Sequence, residues 1–213
     1  MAALRKQLRL YLVTDPKLCA QTGVVQTVRR AVAGGVTMVQ LRDKHATTAQ
    51  RIELAIALRE VLKGTGVPLV INDDVTAAVE AEADGAHIGQ GDISPAQSRA
   101  MLGAGKILGL SCETVQTVRD ADPELVDYLG LGPVFVTSTK DDHARPVGFE
   151  GLAELVALSS LPSVAIGGLK ADHIKGVFGS GADGMAVVSA ICGHADPQAA
   201  AGAFDAFGPE RLR

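Results

Sequence analysis

The first residues whose types and spacing could do chemistry lie in residues 36–44, Val-Thr-Met-Val-Gln-Leu-Arg-Asp-Lys. Gln40, Arg42 and Lys44 are two apart, so on a strand that runs this far all three side chains share a face. An amide and two cations on one buried face are costly to desolvate, and an anionic ligand would offset that cost. A solvated strand end would carry the same three residues, so the stretch alone leaves both readings open.

Other polar residues recur where apolar, β-rich runs end. Asn72-Asp73 close one run, Asp92 follows the next, Ser111 ends a third, and Thr137, Thr139 and Lys140 follow a fourth. Asp73 and Asp92 would come from adjacent strands and place two carboxylates beside Arg42, Lys44 and Lys140. Mg²⁺ takes one or two protein carboxylates and completes its shell with water and phosphate oxygens, so the set fits a metal-assisted diphosphate site. Singly, each aspartate reads more readily as a helix cap or turn residue.

Gly167-Gly168 and Val188-Ser189 end the last two runs. Loops at these places commonly cradle a phosphate with backbone N–H groups, although tight turns use double glycines as well. Residues 136–148 form a loop longer than closure of a barrel requires, as lids and binding loops often are. Its Thr137 and Thr139 could donate to a phosphate, and Lys140 could reach a leaving group. As a plain surface loop it would leave Asp141, Asp142, His143 and Arg145 merely solvated.

The histidines argue against nucleophilic acyl chemistry. His87 has the opposite parity to Ile88, Gln90 and Asp92, which predicts a hydrogen-bonded structural residue under the helices. His45, His143, His173 and His194 fall in turns or on helices, and no Ser or Cys stands beside a His.

The elements that must position these residues alternate strictly. Strands are expected at 8–14, 36–42, 68–72, 86–90, 107–111, 128–135, 164–167 and 184–189. Helices are expected at 24–32, 47–63, 75–83, 94–102, 114–121, 150–158, 170–179 and 195–207, the second burying Ile52, Ile56 and Leu58 to Leu62. Eight such pairs with short turns predict an α/β fold, a single (β/α)8 TIM barrel spanning 1–213 as one domain. Ala83-Asp84-Gly85-Ala86 before the fourth strand echoes Ala182-Asp183-Gly184-Met185 before the eighth, and each Gly is expected to let the chain turn sharply into its strand.

Composition agrees. The 213 residues are 47% hydrophobic but 3% aromatic, so Val, Ile, Leu and Ala must fill the core, as in parallel α/β interiors. A net charge of -4 argues against an extended nucleic-acid surface and confines any basic site to a pocket. The three cysteines, Cys19, Cys112 and Cys192, have no metal-ligand spacing and read as reduced, packed thiols. No secretory signal is evident, and no run reaches the roughly 18 apolar residues a membrane helix needs. The expectation is a soluble, cytoplasmic, unprocessed protein that acts on small molecules, binds neither nucleic acid nor membrane, and is free to form a homo-oligomer.

Taken in order, the motifs resemble thiamine-phosphate synthases over nearly the whole chain. They are Tyr-Leu-Val-Thr-Asp from Tyr11, Gln-x-Arg-x-Lys from Gln40, Asn-Asp from Asn72, and His-Ile-Gly-Gln-x-Asp from His87. Gly-Leu-Gly-Pro-Val-Phe from Gly130, Thr-x-Thr-Lys from Thr137, Ile-Gly-Gly from Ile166, and Gly-Ala-Asp-Gly through Val-Ser from Gly181 complete the set. The resemblance implies transfer of a hydroxymethylpyrimidine group from its diphosphate to the nitrogen of a thiazole phosphate, or of its carboxylated form, giving thiamine phosphate and diphosphate. It implies that Gln40, Arg42, Lys44, Asn72, Ser111 and Lys140 hold the pyrimidine diphosphate, with Arg42, Lys44 and Lys140 assisting its departure. Asp73 and Asp92 would bind Mg²⁺, and Thr137, Thr139, Gly168, Val188 and Ser189 would hold the thiazole phosphate. A dissociative path through a pyrimidine cation goes with it.

A neutral aromatic nitrogen attacking carbon has no proton to lose, which fits the absence of an evident general base; charge stabilisation and orientation then carry catalysis. One departure stands out: Ser111-Cys112-Glu113-Thr114 replaces the expected Ser-x-His-Thr. The related thiazole tautomerase relies on that histidine, so Glu113 counts against an isomerase. A non-catalytic ligand sensor is the remaining alternative.

Overall fold

A computed structural model describes residues 2–137 and 145–204. Eight parallel strands close into a barrel in chain order: β1 (Leu10–Val13), β2 (Met38–Leu41), β3 (Leu69–Asn72), β4 (Gly85–Ile88), β5 (Ile107–Cys112), β6 (Tyr128–Leu131), β7 (Ser163–Ile166) and β8 (Gly184–Val187). The helices are α1 (Ala2–Gln7), α2 (Val24–Ala33), α3 (Thr48–Leu62), α4 (Val75–Glu80), α5 (Pro95–Leu102), α6 (Val115–Arg119), α7 (Gly148–Ala157), α8 (Ile174–Gly179) and α9 (Pro197–Gly202). The (β/α)8 barrel is as the alternation predicts.

Strand alternation sorts the side chains into two cores. Val39, Leu41, Ile71, Ile88, Leu108, Leu129 and Val187 point outward and pack under the helices. Tyr11, Val13, Met38, Val70, Tyr128, Val164 and Ala186 fill the interior. Local chemistry fixes the helix starts. Thr47 and Gln50 form a reciprocal capping box on α3, and Ser94 with Gln97 does the same on α5, where Pro95 occupies the first turn.

Most strands are shorter than their apolar runs. β2 ends at Leu41 and β6 at Leu131, because the chain beyond bends to deliver loop residues to the barrel mouth. In α3 Leu58 and Leu62 of the expected stripe are buried, with Ala55 beside them, whereas Ile56 faces out at 47% exposure. Helix α1 was not expected; its Leu4 packs with Leu8 against the interior core, and Arg5 pairs with Asp183. Cys19 and Cys192, distant in sequence, bring their thiols into hydrogen-bond contact, and all three cysteines are buried and free.

The expected glycine role at Gly85 and Gly184 needs correction. Neither has a positive φ. A Cβ at either would lie 1.9 Å from a backbone carbonyl, Ile107 O on β5 or Leu8 O just before β1, so the requirement is close approach. The aspartates of the same repeat do structural work: Asp84 accepts the Leu69 N–H at 2.7 Å and Asp183 the Ser163 N–H at 2.9 Å. No described helix is long and apolar enough to cross a membrane.

Candidate active site

A cavity of about 520 Å³ opens at the carboxyl ends of the strands. It gathers Gln40, Arg42, Lys44, Asn72, Asp73, Asp92, Ser111, Thr137, Gly168, Val188 and Ser189. Every described residue that the sequence singled out for the site therefore lines one space. Thr139 and Lys140 lie outside the described residues, as does most of the predicted 136–148 loop.

Each side chain is delivered by its strand end. Gln40 is inward on β2, 4% exposed, and donates through Nε2 to the Tyr11 hydroxyl at 2.7 Å. Arg42 follows the last residue of β2, where Thr14 clamps its backbone: the Arg42 N–H donates to Thr14 Oγ1 at 2.9 Å, and that hydroxyl donates to Arg42 O at 3.3 Å. Asp73 stands one residue beyond β3 in left-handed backbone, φ 62°, a conformation Asp tolerates better than most residues. Its N–H is held by His87 O at 2.8 Å. Asp92 is positioned by the turn after β4, where Gly89 N–H donates to its Oδ2 at 2.7 Å.

The two carboxyl groups meet. Desolvation, then the charge of Asp92 and the hydrogen bond between them, pushes Asp73 up to about 6, while Arg42 and Asn72 pull the other way. Like charges brought this close are the electrostatic signature of a place suited to a cation. Among the described residues no group of three or more His, Cys, Asp or Glu could hold a metal. Two carboxylates suffice for Mg²⁺, which retains water and recruits phosphate oxygens, so the donor set fits that ion and does not fit a dedicated protein cage.

Across the barrel, Gly167 and Gly168 have φ 104° and 64°. A Cβ on Gly168 would sit 2.6 Å from Val136 O, so only glycine lets β7 turn this close under the chain after β6. Val188 O accepts the N–H groups of Ile191 and Cys192, making one tight turn that begins at the cavity wall with Val188 and Ser189.

His87 overturns its expected position. It points into the barrel, 8% exposed, and lines the cavity, with Nε2 2.9 Å from Ser111 Oγ and Nδ1 2.8 Å from the Tyr128 hydroxyl. Parity had been counted from Asp92 as if one straight strand ran that far. β4 ends at Ile88 and the chain turns, so Asp92 reaches the cavity by a loop. The better signal was small Gly85 and Gly89 flanking His87 at the same parity, with apolar Ala86 and Ile88 facing the helices. Tyr11, Gln90, Glu113, Thr114 and Thr117 also line the cavity and were not assigned to it; for Tyr11 the inward parity shared with Val13 was available.

Known proteins resemble this chain over nearly its whole length. Residues 10–191 match the family described as thiamine monophosphate synthase. The thiamine-phosphate synthase of Psychrobacter sp. (strain PRwf-1) is 52% identical over 197 residues, covering 91% of this chain and 92% of that protein. That of Xanthobacter autotrophicus is 49% identical over 199 residues, covering 93% and 94%. The solved thiamine phosphate pyrophosphorylase from Pyrococcus furiosus superposes with a TM-score of 0.89 at 33% identity, covering 99% of this chain and all of that one. The chain belongs to the thiamine monophosphate synthase family.

Proposed function

We propose that this chain joins 4-amino-2-methyl-5-hydroxymethylpyrimidine diphosphate to 4-methyl-5-(2-hydroxyethyl)thiazole phosphate, or its carboxylated form, in a Mg²⁺-dependent substitution that gives thiamine phosphate. The observation that carries the reading is the division of one cavity into two polar arcs. Gln40, Arg42, Lys44, Asn72, Asp73, Asp92 and Ser111 come from β2 to β5, and Thr137, Gly168, Val188 and Ser189 from β6 to β8. The first arc suits a diphosphate with its metal, the second a lone phosphate, and the reacting carbon and nitrogen would meet between them.

The C–O bond to diphosphate breaks with its electron pair leaving on oxygen, and the thiazole nitrogen pair forms the new C–N bond; with the carboxylated substrate the thiazolium then loses CO₂ and the ring carbon that carried it takes a proton from solvent. Arg42, Lys44 and, by resemblance, Lys140 stabilise the charge that develops on the departing diphosphate. Asp73 and Asp92 would hold Mg²⁺, which would supply Lewis acidity to the departing diphosphate. Gln40, Asn72 and Ser111 orient the pyrimidine side, and Thr137, Thr139, Gly168, Val188 and Ser189 hold the thiazole phosphate so that the partners approach in line. Action on small molecules in the cytoplasm, as a monomer or a homo-oligomer, completes the proposal.

Incubating the purified chain with both substrates, with and without Mg²⁺, tests it. Thiamine phosphate should form, its rate should fall on chelation and return with added Mg²⁺. No product under these conditions would sink the reading, and conversion of the thiazole phosphate alone would favour an isomerase instead.

A further inference from the structure

Five polar side chains cross the floor of the cavity in one unbroken line, and the proposed chemistry uses only its two ends. Gln40 Nε2 donates to the Tyr11 hydroxyl at 2.7 Å, and the Tyr11 and Tyr128 hydroxyls are 2.8 Å apart. The Tyr128 hydroxyl is 2.8 Å from His87 Nδ1, and His87 Nε2 is 2.9 Å from Ser111 Oγ. The line joins β2, β1, β6, β4 and β5. Its inner members are buried, Tyr11 at 1% and Tyr128 at 0% exposure, so water cannot readily exchange into the phenol links.

The sequence makes room for it deliberately. A Cβ at Gly109 would lie 2.2 Å from Tyr128 Cζ and 2.4 Å from His87 Nδ1, and one at Gly130 would lie 3.1 Å from His87 Cε1. The two rings can stand side by side only because the strands beside them carry glycine.

Such a line has a direction. The Gln40 amide nitrogen has only protons to offer, so the Tyr11 oxygen accepts there and its single proton goes to Tyr128. The Tyr128 proton then goes to His87 Nδ1, which must be the bare nitrogen, and Nε2 carries the proton toward Ser111. Burial pushes both phenols up, which keeps their protons in place. Ser111 Oγ, already accepting from His87, turns its own proton away from the ring. The opposite direction requires Gln40 to turn its amide over, and would leave Ser111 spending its proton on His87.

We propose that Tyr11, Tyr128 and His87 are positioning residues whose hydrogen-bond line, set by the Gln40 amide, fixes His87 as the Nε2–H tautomer and presents the Ser111 hydroxyl as a donor to an acceptor atom of the pyrimidine diphosphate. The role of Ser111 toward that substrate rests on the function proposed above; the direction of the line does not.

The test therefore has two parts. Nitrogen-15 correlation spectra of the unliganded, unaltered chain report the tautomer, His87 being the ring whose signals move in Ser111→Ala. A bare Nδ1 and a protonated Nε2 are expected; a protonated Nδ1 overturns the proposal. In the steady state, Ser111→Ala and Tyr128→Phe should each raise KM for the pyrimidine diphosphate, by up to about tenfold. KM for the thiazole phosphate should hold. The double variant should cost little more than Ser111→Ala alone, because both changes break one line; costs that simply multiply would overturn it. The spectrum requires neither turnover nor a folded variant at Tyr128, so failure of the direction and failure of the synthase reading are separable.

Discussion

Asp73 is the residue at which electrostatics and function pull against each other. In the metal-free chain its pKa is raised from 3.8 to about 6, so the folded state holds that proton more tightly than the unfolded state does. The stability this contributes is complete below about pH 4 and is lost as pH rises through about 6. Asp73→Asn should flatten this part of the metal-free stability profile, and urea midpoints measured across the window check it; parallel profiles would separate Asp73 from Asp92. If Asp73 holds Mg²⁺ as proposed, metal and proton would compete for the same oxygens, and metal affinity should weaken as pH drops below about 6. Asp92→Asn should weaken the Mg²⁺ dependence of the rate, and a metal titration overlaying that of the unaltered chain would remove Asp92 as a ligand. Arg42→Ala should lower kcat on the order of a hundredfold through lost stabilisation of the leaving diphosphate, and unchanged turnover would take Arg42 out of the site.

At the scale of elements, the barrel is pinned by one device repeated on alternate strands. The residue just before each even-numbered strand accepts an N–H near the start of the strand preceding it. Thr37 Oγ1 takes Leu10 N–H at 2.9 Å, Asp84 takes Leu69, Asp127 takes Leu108 at 2.8 Å and Asp183 takes Ser163. The sequence displayed two of the four as the Ala-Asp-Gly echo. The other two were hidden because Thr37 and Asp127 precede a methionine and a tyrosine. Asp84→Ala should cost about 1–3 kcal/mol by leaving the Leu69 N–H without its carboxylate, with no change in KM for either substrate. Strand and helix identities were legible from alternation and capping residues. Lengths were not, because a run such as 128–135 stays apolar after the chain has left the sheet to serve the cavity. Parity failed for the same reason at His87: counting by twos holds only while hydrogen-bonded strand continues.

The whole molecule separates stability from chemistry along the barrel axis. The pinning residues, α1 and the Leu4–Leu8 plug lie at the amino ends of the strands, while the cavity residues lie at the carboxyl ends. The sequence revealed the second end well, since polar residues breaking apolar runs are conspicuous. It hid the first, because a plug of two leucines looks like any apolar stretch. Leu8 is fully buried against the interior core, and its carbonyl is the atom that excludes a side chain at Gly184. Leu8→Ala should therefore open a cavity costing about 2–5 kcal/mol. If the ends are independent, kcat and both KM values should be unchanged at temperatures where the variant remains folded. Urea unfolding measures the first effect and steady-state assay the second. A shifted KM in the folded variant would mean that the interior layers from Leu8 through Tyr11 to Gln40 transmit packing to the cavity floor. The hydrogen-bond line would then be the route, since it is the first polar layer above the plug.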